Sequence, residues 1–310
     1  MSDKMATRQA YGEALVALGK ENKDIVVLDA DLSKSTMTVG FSKEFSDRFF
    51  NMGIAEQNLM GTAAGLAASG KTVFASTFAM FAAGRAFEIV RNAICYPSLN
   101  VKVCATHAGI TVGEDGASHQ AIEDIALMRA IPNIIVINPS DPVSAKKAIF
   151  EVAKYKGPAY VRLGRVKVAS IYEENLNFEI GKGICLKEGA QATVIATGVM
   201  VHEALKAAEL LESKGIRIRV IDMHTIKPID EEIIIKAAAE TGAIITAEEH
   251  NVIGGLGSAV AEVIVKHHPV KMKMIGIQDI FGESGKPDEL MKKFNITSED
   301  IVKAVNEIIK

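Results

Sequence analysis

Short apolar runs alternate with amphipathic helical patterns along nearly the whole chain, and this alternation restricts the fold more than any other feature of the sequence. Ile25 to Leu28, Lys71 to Ala75, Val101 to Ala105, Ile134 to Ile137 and Ala159 to Leu163 read as buried strands. Helical patterns run from an N-cap at Thr7 to Gly19, then near residues 54 to 69, 78 to 95, 119 to 130 and 141 to 154. Strands joined through helices pair in parallel, so an α/β fold is expected.

Residues 166 to 190 break the pattern. Glu173-Glu174-Asn175-Leu176-Asn177 has no sustained period, and Gly181, Gly183 and Gly189 punctuate the stretch after it. Strands resume at Ala192 to Ala196, Ile216 to Ile221, Ala243 to Ala247 and Met274 to Ile277, with helices at 199 to 214 and 230 to 241, after Gly257 and from Ser298. The expected organisation is an α/β domain over residues 1–172, a linker at 173–190 and a smaller α/β domain over 191–310, both built on parallel sheets. The 310 residues suit about two domains, and 48% hydrophobic residues can bury a core in each.

Charge and cysteine usage exclude several classes of function. A net charge of −3 gives no global basic field for nucleic acid or an anionic membrane. Cys95, Cys104 and Cys185 are far apart and form no C-x-x-C pair, against a disulfide framework or a cysteine zinc site. No apolar run approaches a membrane span and no secretory signal opens the chain, so a cytoplasmic protein is expected.

Polar residues that can do chemistry gather in three segments. The densest runs from Thr106 and His107 through Gly113-Glu114-Asp115-Gly116-Ala117-Ser118-His119-Gln120, just after a strand. Glycines let backbone approach a ligand closely and histidines titrate near neutrality, so the loop suits proton transfer or hydroxyl recognition; the alternative is a helix entry capped by Ser118 with solvated histidines. A metal site from His107, Asp115 and His119 lacks a second compact ligand pair. In the second segment, Glu56 leads a helix rich in small residues, Gly61-Thr62-Ala63-Ala64-Gly65-Leu66-Ala67-Ala68. Partial desolvation there favours a neutral carboxyl able to share a proton, whereas a bland reading leaves a charged residue in a first helical turn. The third holds Phe78 and Phe81, three apart, as a platform for a flat heterocycle or simply as core.

These segments, in this order, resemble the pyrimidine-binding domain of transketolase, and the second domain resembles the transketolase carboxyl-terminal domain. The resemblance rests on Gly53-Ile54-Ala55-Glu56-Gln57-Asn58, Ser76-Thr77-Phe78-Ala79-Met80-Phe81 and the His107 to Gln120 loop, and spans nearly the whole chain. It implies a thiamine diphosphate enzyme of the pentose phosphate pathway that moves a ketol unit between sugar phosphates. By the resemblance, Glu56 bonds a ring nitrogen of the aminopyrimidine, and Phe78 and Phe81 pack on that ring. Asp31 lies near the cofactor at a subunit interface. His119 faces the reacting sugar, and Asp115 reads a hydroxyl. His107, Arg8, Ser35 and Arg165 line the sugar-phosphate end, with His107 and His119 counted with Glu56 as catalytic. Some transketolases have a third aromatic where Gly84 stands here, so a more open pyrimidine pocket is expected.

The Gly-Asp-Gly motif that holds metal and diphosphate in full-length transketolases is not found; Glu114-Asp115-Gly116 belongs to the histidine loop. The chain also begins almost at Arg8, which leaves no expected room for another domain. The implied protein is the carboxyl-terminal subunit of a split transketolase, a heterotetramer with an amino-terminal subunit that holds most of the Mg2+ or Ca2+ contacts, with no metal site of its own. Beta subunits of 2-oxoacid dehydrogenase complexes and deoxyxylulose phosphate synthases are the near alternatives; His107 and the histidine loop favour transketolase. A non-catalytic nucleotide-binding protein using Gly254-Gly255-Leu256-Gly257 is the alternative of another class, though that run lacks dinucleotide spacing.

Overall fold

A computed structural model of the chain describes residues 4–310; the first three residues of the expected 1–172 domain lie outside it. The first domain is a seven-stranded sheet. Across it stand Thr225–Lys227, Ile135–Ile137, Ala159–Leu163, Val101–Thr106, Thr72–Phe78, Ile25–Asp29 and Phe49–Asn51. Every pairing is parallel except that of Thr225–Lys227 with Ile135–Ile137. Helices cover both faces, which is why the central strands are buried along their whole length and read as largely apolar runs. Thr7–Glu21 and Pro142–Lys154 pack on one face through Tyr11, Leu15, Leu18, Ile149 and Val152. Glu56–Ala68 and Asp124–Ala130 pack on the other through Leu59, Ala63, Ile125 and Met128.

The second domain is a five-stranded sheet in the order Lys271–Ile277, Ala243–Asn251, Thr193–Ala196, Arg219–Asp222, Ile184–Lys187. Met200–Glu212 and Ser298–Ile308 cover one face, Glu231–Thr241 and Leu256–His267 the other.

Both sheets are parallel, as expected, apart from one antiparallel edge strand each. Ile184–Lys187, inside the expected linker, pairs antiparallel with Arg219–Asp222, and Thr225–Lys227 crosses back to edge the first sheet. Neither strand is longer than four residues, too short for a period to register. Phe178, also in the expected linker, is buried against the first domain's core.

Local differences have local causes. Thr7 is not a cap but the first helical residue, and its Oγ1 accepts the Gly164 N–H at 2.8 Å. The helix expected from residue 119 begins at Asp124, because Gln120 is drawn inward to donate to the carbonyls of Ile110, Gly113 and Glu283. Ser118 does not cap that helix, whose N-cap is Glu123; its hydroxyl is hydrogen-bonded with His119 Nδ1. The stretch 78 to 95 starts as strand through Phe78 and then winds in wide turns, with the Ala86 N–H bonded to the Phe81 carbonyl and Tyr96 to Arg91. Such π-type turns are rare and concentrate at functional sites.

Candidate active site

The chain runs from Ile25–Asp29 outward to Phe49–Asn51, then returns to Thr72–Phe78 on the other side of the first strand. Ligands bind at such a topological switch, beyond the carboxyl ends of the strands. Five neighbouring strands end there in register: Leu163 beside Thr106, Thr106 beside Phe78, Ser76 beside Asp29, and Asp29 beside Asn51. Arg165, His107, Phe78, Asp31 and Glu56 lie at or just past these ends. Residues more than a hundred positions apart thus meet along one sheet edge.

Glu56 is the first residue of its helix and only 2% exposed. Its Oε2 accepts a 2.9 Å hydrogen bond from Arg85 Nη1, a partner that nothing in the sequence motifs assigns. The Arg85 guanidinium also lies over the Phe81 ring, 4.7 Å from its centroid. Phe81 and Phe78 stand nearly parallel, 6.2 Å apart at 19°. His119 meets both rings edge-on, at 5.3 Å from Phe81 and 6.1 Å from Phe78.

His107 lies against Phe78 with centroids 4.0 Å apart. Its backbone is left-handed (φ 58°), which costs about 1 kcal/mol for a residue with a side chain. Its Nε2 stands 3.4 Å from Arg8 Nη1 and its Nδ1 3.0 Å from the Thr106 hydroxyl. Because arginine can only donate, Nε2 accepts and the ring proton sits on Nδ1. Burial, then the charges of Arg8, Arg165 and His119, push this histidine down to about 3, so the ring is neutral.

Arg8 also donates to the Ser35 carbonyl, and burial and the neighbouring Arg165 lower its pKa. The Thr7–Gly164 hydrogen bond explains the pairing, since it sets Arg8 and Arg165 on adjacent backbones. Arg165 donates to the Val112 carbonyl and to Glu114 Oε2. Arg8 Nε is buried with no partner among the described residues.

The structure thus brings Glu56, Phe78, Phe81, His107, His119, Arg8, Ser35 and Arg165 into one continuous line of neighbours. Among the described residues neither Asp31 nor Asp115 makes a hydrogen bond or ion pair to that line, and both are exposed. Asp31 exchanges two hydrogen bonds with Asn51, and Asp115 ends the short turn Ile110–Asp115.

Sequence reasoning missed three supports. Asp29 is buried and accepts from the Leu32 N–H and the Thr36 and Thr38 hydroxyls, shaping the loop that carries Ser35. Glu249, from the second domain, accepts from the Thr111 N–H and hydroxyl beneath the histidine loop. Arg85 is the third. An acid after a buried strand and an arginine four residues beyond Phe81 were visible in sequence, but the partners of Arg85 and Glu249 lie 29 and 138 positions away.

Residues 3–169 match the transketolase pyrimidine-binding domain family, and residues 181–301 match the transketolase C-terminal domain family. The chain is 56% identical over 306 residues to a Methanocaldococcus jannaschii protein assigned provisionally as a transketolase C-terminal section, covering 98% of this chain and 96% of that one. It is 42% identical to the transketolase of Homo sapiens over 100% of its own length, and spans 50% of that protein. It superposes on a split gene transketolase, described as an inactive β4 tetramer, with a TM-score of 0.93 at 56% identity, covering 98% of both chains.

Proposed function

The chain belongs to the transketolase family, and from that premise we propose that it is the carboxyl-terminal subunit of a split transketolase, active only with a separate amino-terminal subunit. The observation that carries this reading is the line of side chains from Glu56 through Phe81, Phe78 and His107 to Arg8. The end-to-end match to a split gene protein supports the division into subunits.

The residues present suit the pyrimidine end of thiamine diphosphate. Phe81 offers a ring face and Glu56 a buried carboxylate beside it, the stacking surface and hydrogen-bonding anion that a flat aminopyrimidine needs. At the other end, Arg8 and Arg165 converge and Arg8 Nε has no partner among the described residues, a concentration of positive charge that a phosphate would relieve. When bound, the cofactor supplies the carbon that carries a two-carbon ketol unit from a ketose phosphate to an aldose phosphate.

In this reading Glu56 exchanges a proton with a ring nitrogen, Phe78 and Phe81 hold the ring flat, and Asp31 lies toward the cofactor at a subunit boundary. Neutral His107 accepts a hydrogen bond from a hydroxyl through Nε2 without adding a further charge beside the arginines. His119 faces the reacting carbon and Asp115 reads a hydroxyl, while Arg8, Ser35 and Arg165 hold the phosphate end. The partner subunit holds most of the Mg2+ or Ca2+ and diphosphate contacts, and the two kinds of subunit assemble as a cytoplasmic heterotetramer of the pentose phosphate pathway. The domain division at 1–172, 173–190 and 191–310 belongs to the same reading.

The test is reconstitution. The purified chain with thiamine diphosphate and magnesium should not transfer ketol groups, and activity should arise on adding the amino-terminal subunit recovered by copurification. Robust transfer by the chain alone would sink the split-subunit reading.

A further inference from the structure

The guanidinium of Arg85 does two things at once. It lies over the face of Phe81, and it donates to the carboxylate of Glu56. A planar N–H group stacked on that aromatic and bonded to that acid is what an aminopyrimidine presents to the same two residues. A flat heterocycle that takes this face of Phe81 and reaches Glu56 must therefore take the place of the guanidinium.

The surroundings let the side chain leave while the backbone stays. Gln57 Nε2 donates to the Arg85 carbonyl at 3.3 Å, and the wide turn Phe81–Arg85 is closed by the Ala86 N–H bonded to Phe81. The Arg85 side chain is half exposed, so it has solvent to move into. Gly84 adds no wall beside it: a Cβ there would meet only the Met80 methyl, at 3.2 Å.

We propose that Arg85 is an internal competitor for the cofactor: its guanidinium occupies the aminopyrimidine's seat between Phe81 and Glu56 and must swing into solvent before the ring enters. This rests on the reading that thiamine diphosphate binds at Glu56. The internal contact lowers the apparent affinity by the fraction of molecules in which the seat is filled. It also keeps the buried Glu56 carboxylate paired.

Isothermal titration of thiamine diphosphate with magnesium into the assembled two-subunit complex tests the proposal. Arg85→Ala should bind the cofactor about tenfold more tightly than the natural chain, since the competing state is removed. Arg85→Lys keeps the charge but not the flat face, and should fall between the two. Equal affinity across all three, or weaker binding in Arg85→Ala, overturns the competition while leaving the cofactor reading intact. Absence of binding by all three overturns the cofactor reading and this proposal with it. A second measurement needs no variant: with this chain alone carrying 15N-arginine in the complex, the Arg85 Nε–H signal should shift and exchange faster with water as cofactor is added. An unmoved signal at saturating cofactor overturns the proposal.

Discussion

Gly109→Ala is the most discriminating change that can be made in the histidine loop. Gly109 has φ 83° and ψ −176°, a region open to glycine and costing about 1 to 3 kcal/mol for other residues. A Cβ built there would stand 2.3 Å from both the Cδ and the Oε2 of Glu249, so that buried carboxylate must move. Moving it breaks the bonds from the Thr111 N–H at 3.1 Å and the Thr111 hydroxyl at 2.7 Å. Hydrogen bonds to a charged group are worth about 1.5 to 3 kcal/mol each, and losses at one carboxylate are only partly additive, so the expected total is about 4 to 6 kcal/mol. At roughly 2 to 4 °C per kcal/mol for a chain of this size, the midpoint should fall by about 10 to 20 °C. Gly116→Ala is the control. It has the same sign of φ, at 74°, but its Cβ would meet Ser284 at 3.4 Å, ordinary contact, so it bears the backbone strain without the collision. Scanning calorimetry of both variants reads the difference, and equal midpoints would refute the claim that Glu249 braces the loop.

Three further outcomes are expected. Glu56→Gln keeps shape but cannot complete the proton exchange, so hydrogen exchange at the cofactor's reactive carbon in the assembled complex should slow by orders of magnitude while folding and pairing persist; an unchanged rate would defeat the assignment of Glu56. Arg8→Ala and Arg165→Ala should each raise the KM for phosphorylated acceptors about tenfold to a hundredfold, the worth of a charge-assisted bond, and much less for unphosphorylated ones; equal losses on both would make these arginines structural. His107, held at about 3, should show no ring titration by NMR between about pH 5 and 8. Because its folded pKa lies below its ordinary 6.5, its contribution to stability is whole above about 6.5 and is lost as pH falls from there toward about 3; a ring midpoint near 6.5 would show that burial and the arginines do not act on it.

The parts of the fold legible in sequence were those whose signal is local. Strands buried on both faces, such as Thr72–Phe78 and Val101–Thr106, announce themselves as apolar runs, and helices such as Pro142–Lys154 as periodic ones. Elements governed by distant partners were not legible. Gln120 has the local context of a helix entry, yet three carbonyls, one from the second domain, pull it inward and delay the helix to Asp124. Thr225–Lys227 is a strand only because Ile135–Ile137 offers it an edge. In the site the chemical residue types were legible, since Glu56, His107 and His119 stand in polar motifs. Arg85 was not, because what matters about it is its position over Phe81, and that depends on the wide turns between Phe81 and Cys95.

The second domain shapes the candidate site without supplying any of the ring-contacting residues along it. Arg162, 2% exposed on a central strand of the first sheet, donates to Asp124 and to the carbonyls of Ala121 and Glu249, and its other nitrogen lies 3.7 Å from the Glu249 carboxylate. Burying one arginine with two carboxylates carries a desolvation cost that packed apolar residues would avoid, so net stability is a poor reason for the arrangement. Registry is a better one. Glu249 holds Thr111 from below, the Glu283 carbonyl accepts from Gln120, and the Ser284 hydroxyl donates to the Glu114 carbonyl. These three anchors come from the second domain and fall along the loop that carries His107 and His119, the two histidines that flank the aromatic pair. A loop rich in glycine has many conformations to lose, and fixing each residue costs about 1 to 2 kcal/mol of entropy. Anchoring it from a neighbouring domain sets that cost at folding, before any ligand arrives. The junction between the domains is therefore part of the candidate site, in the sense that the histidine positions depend on it.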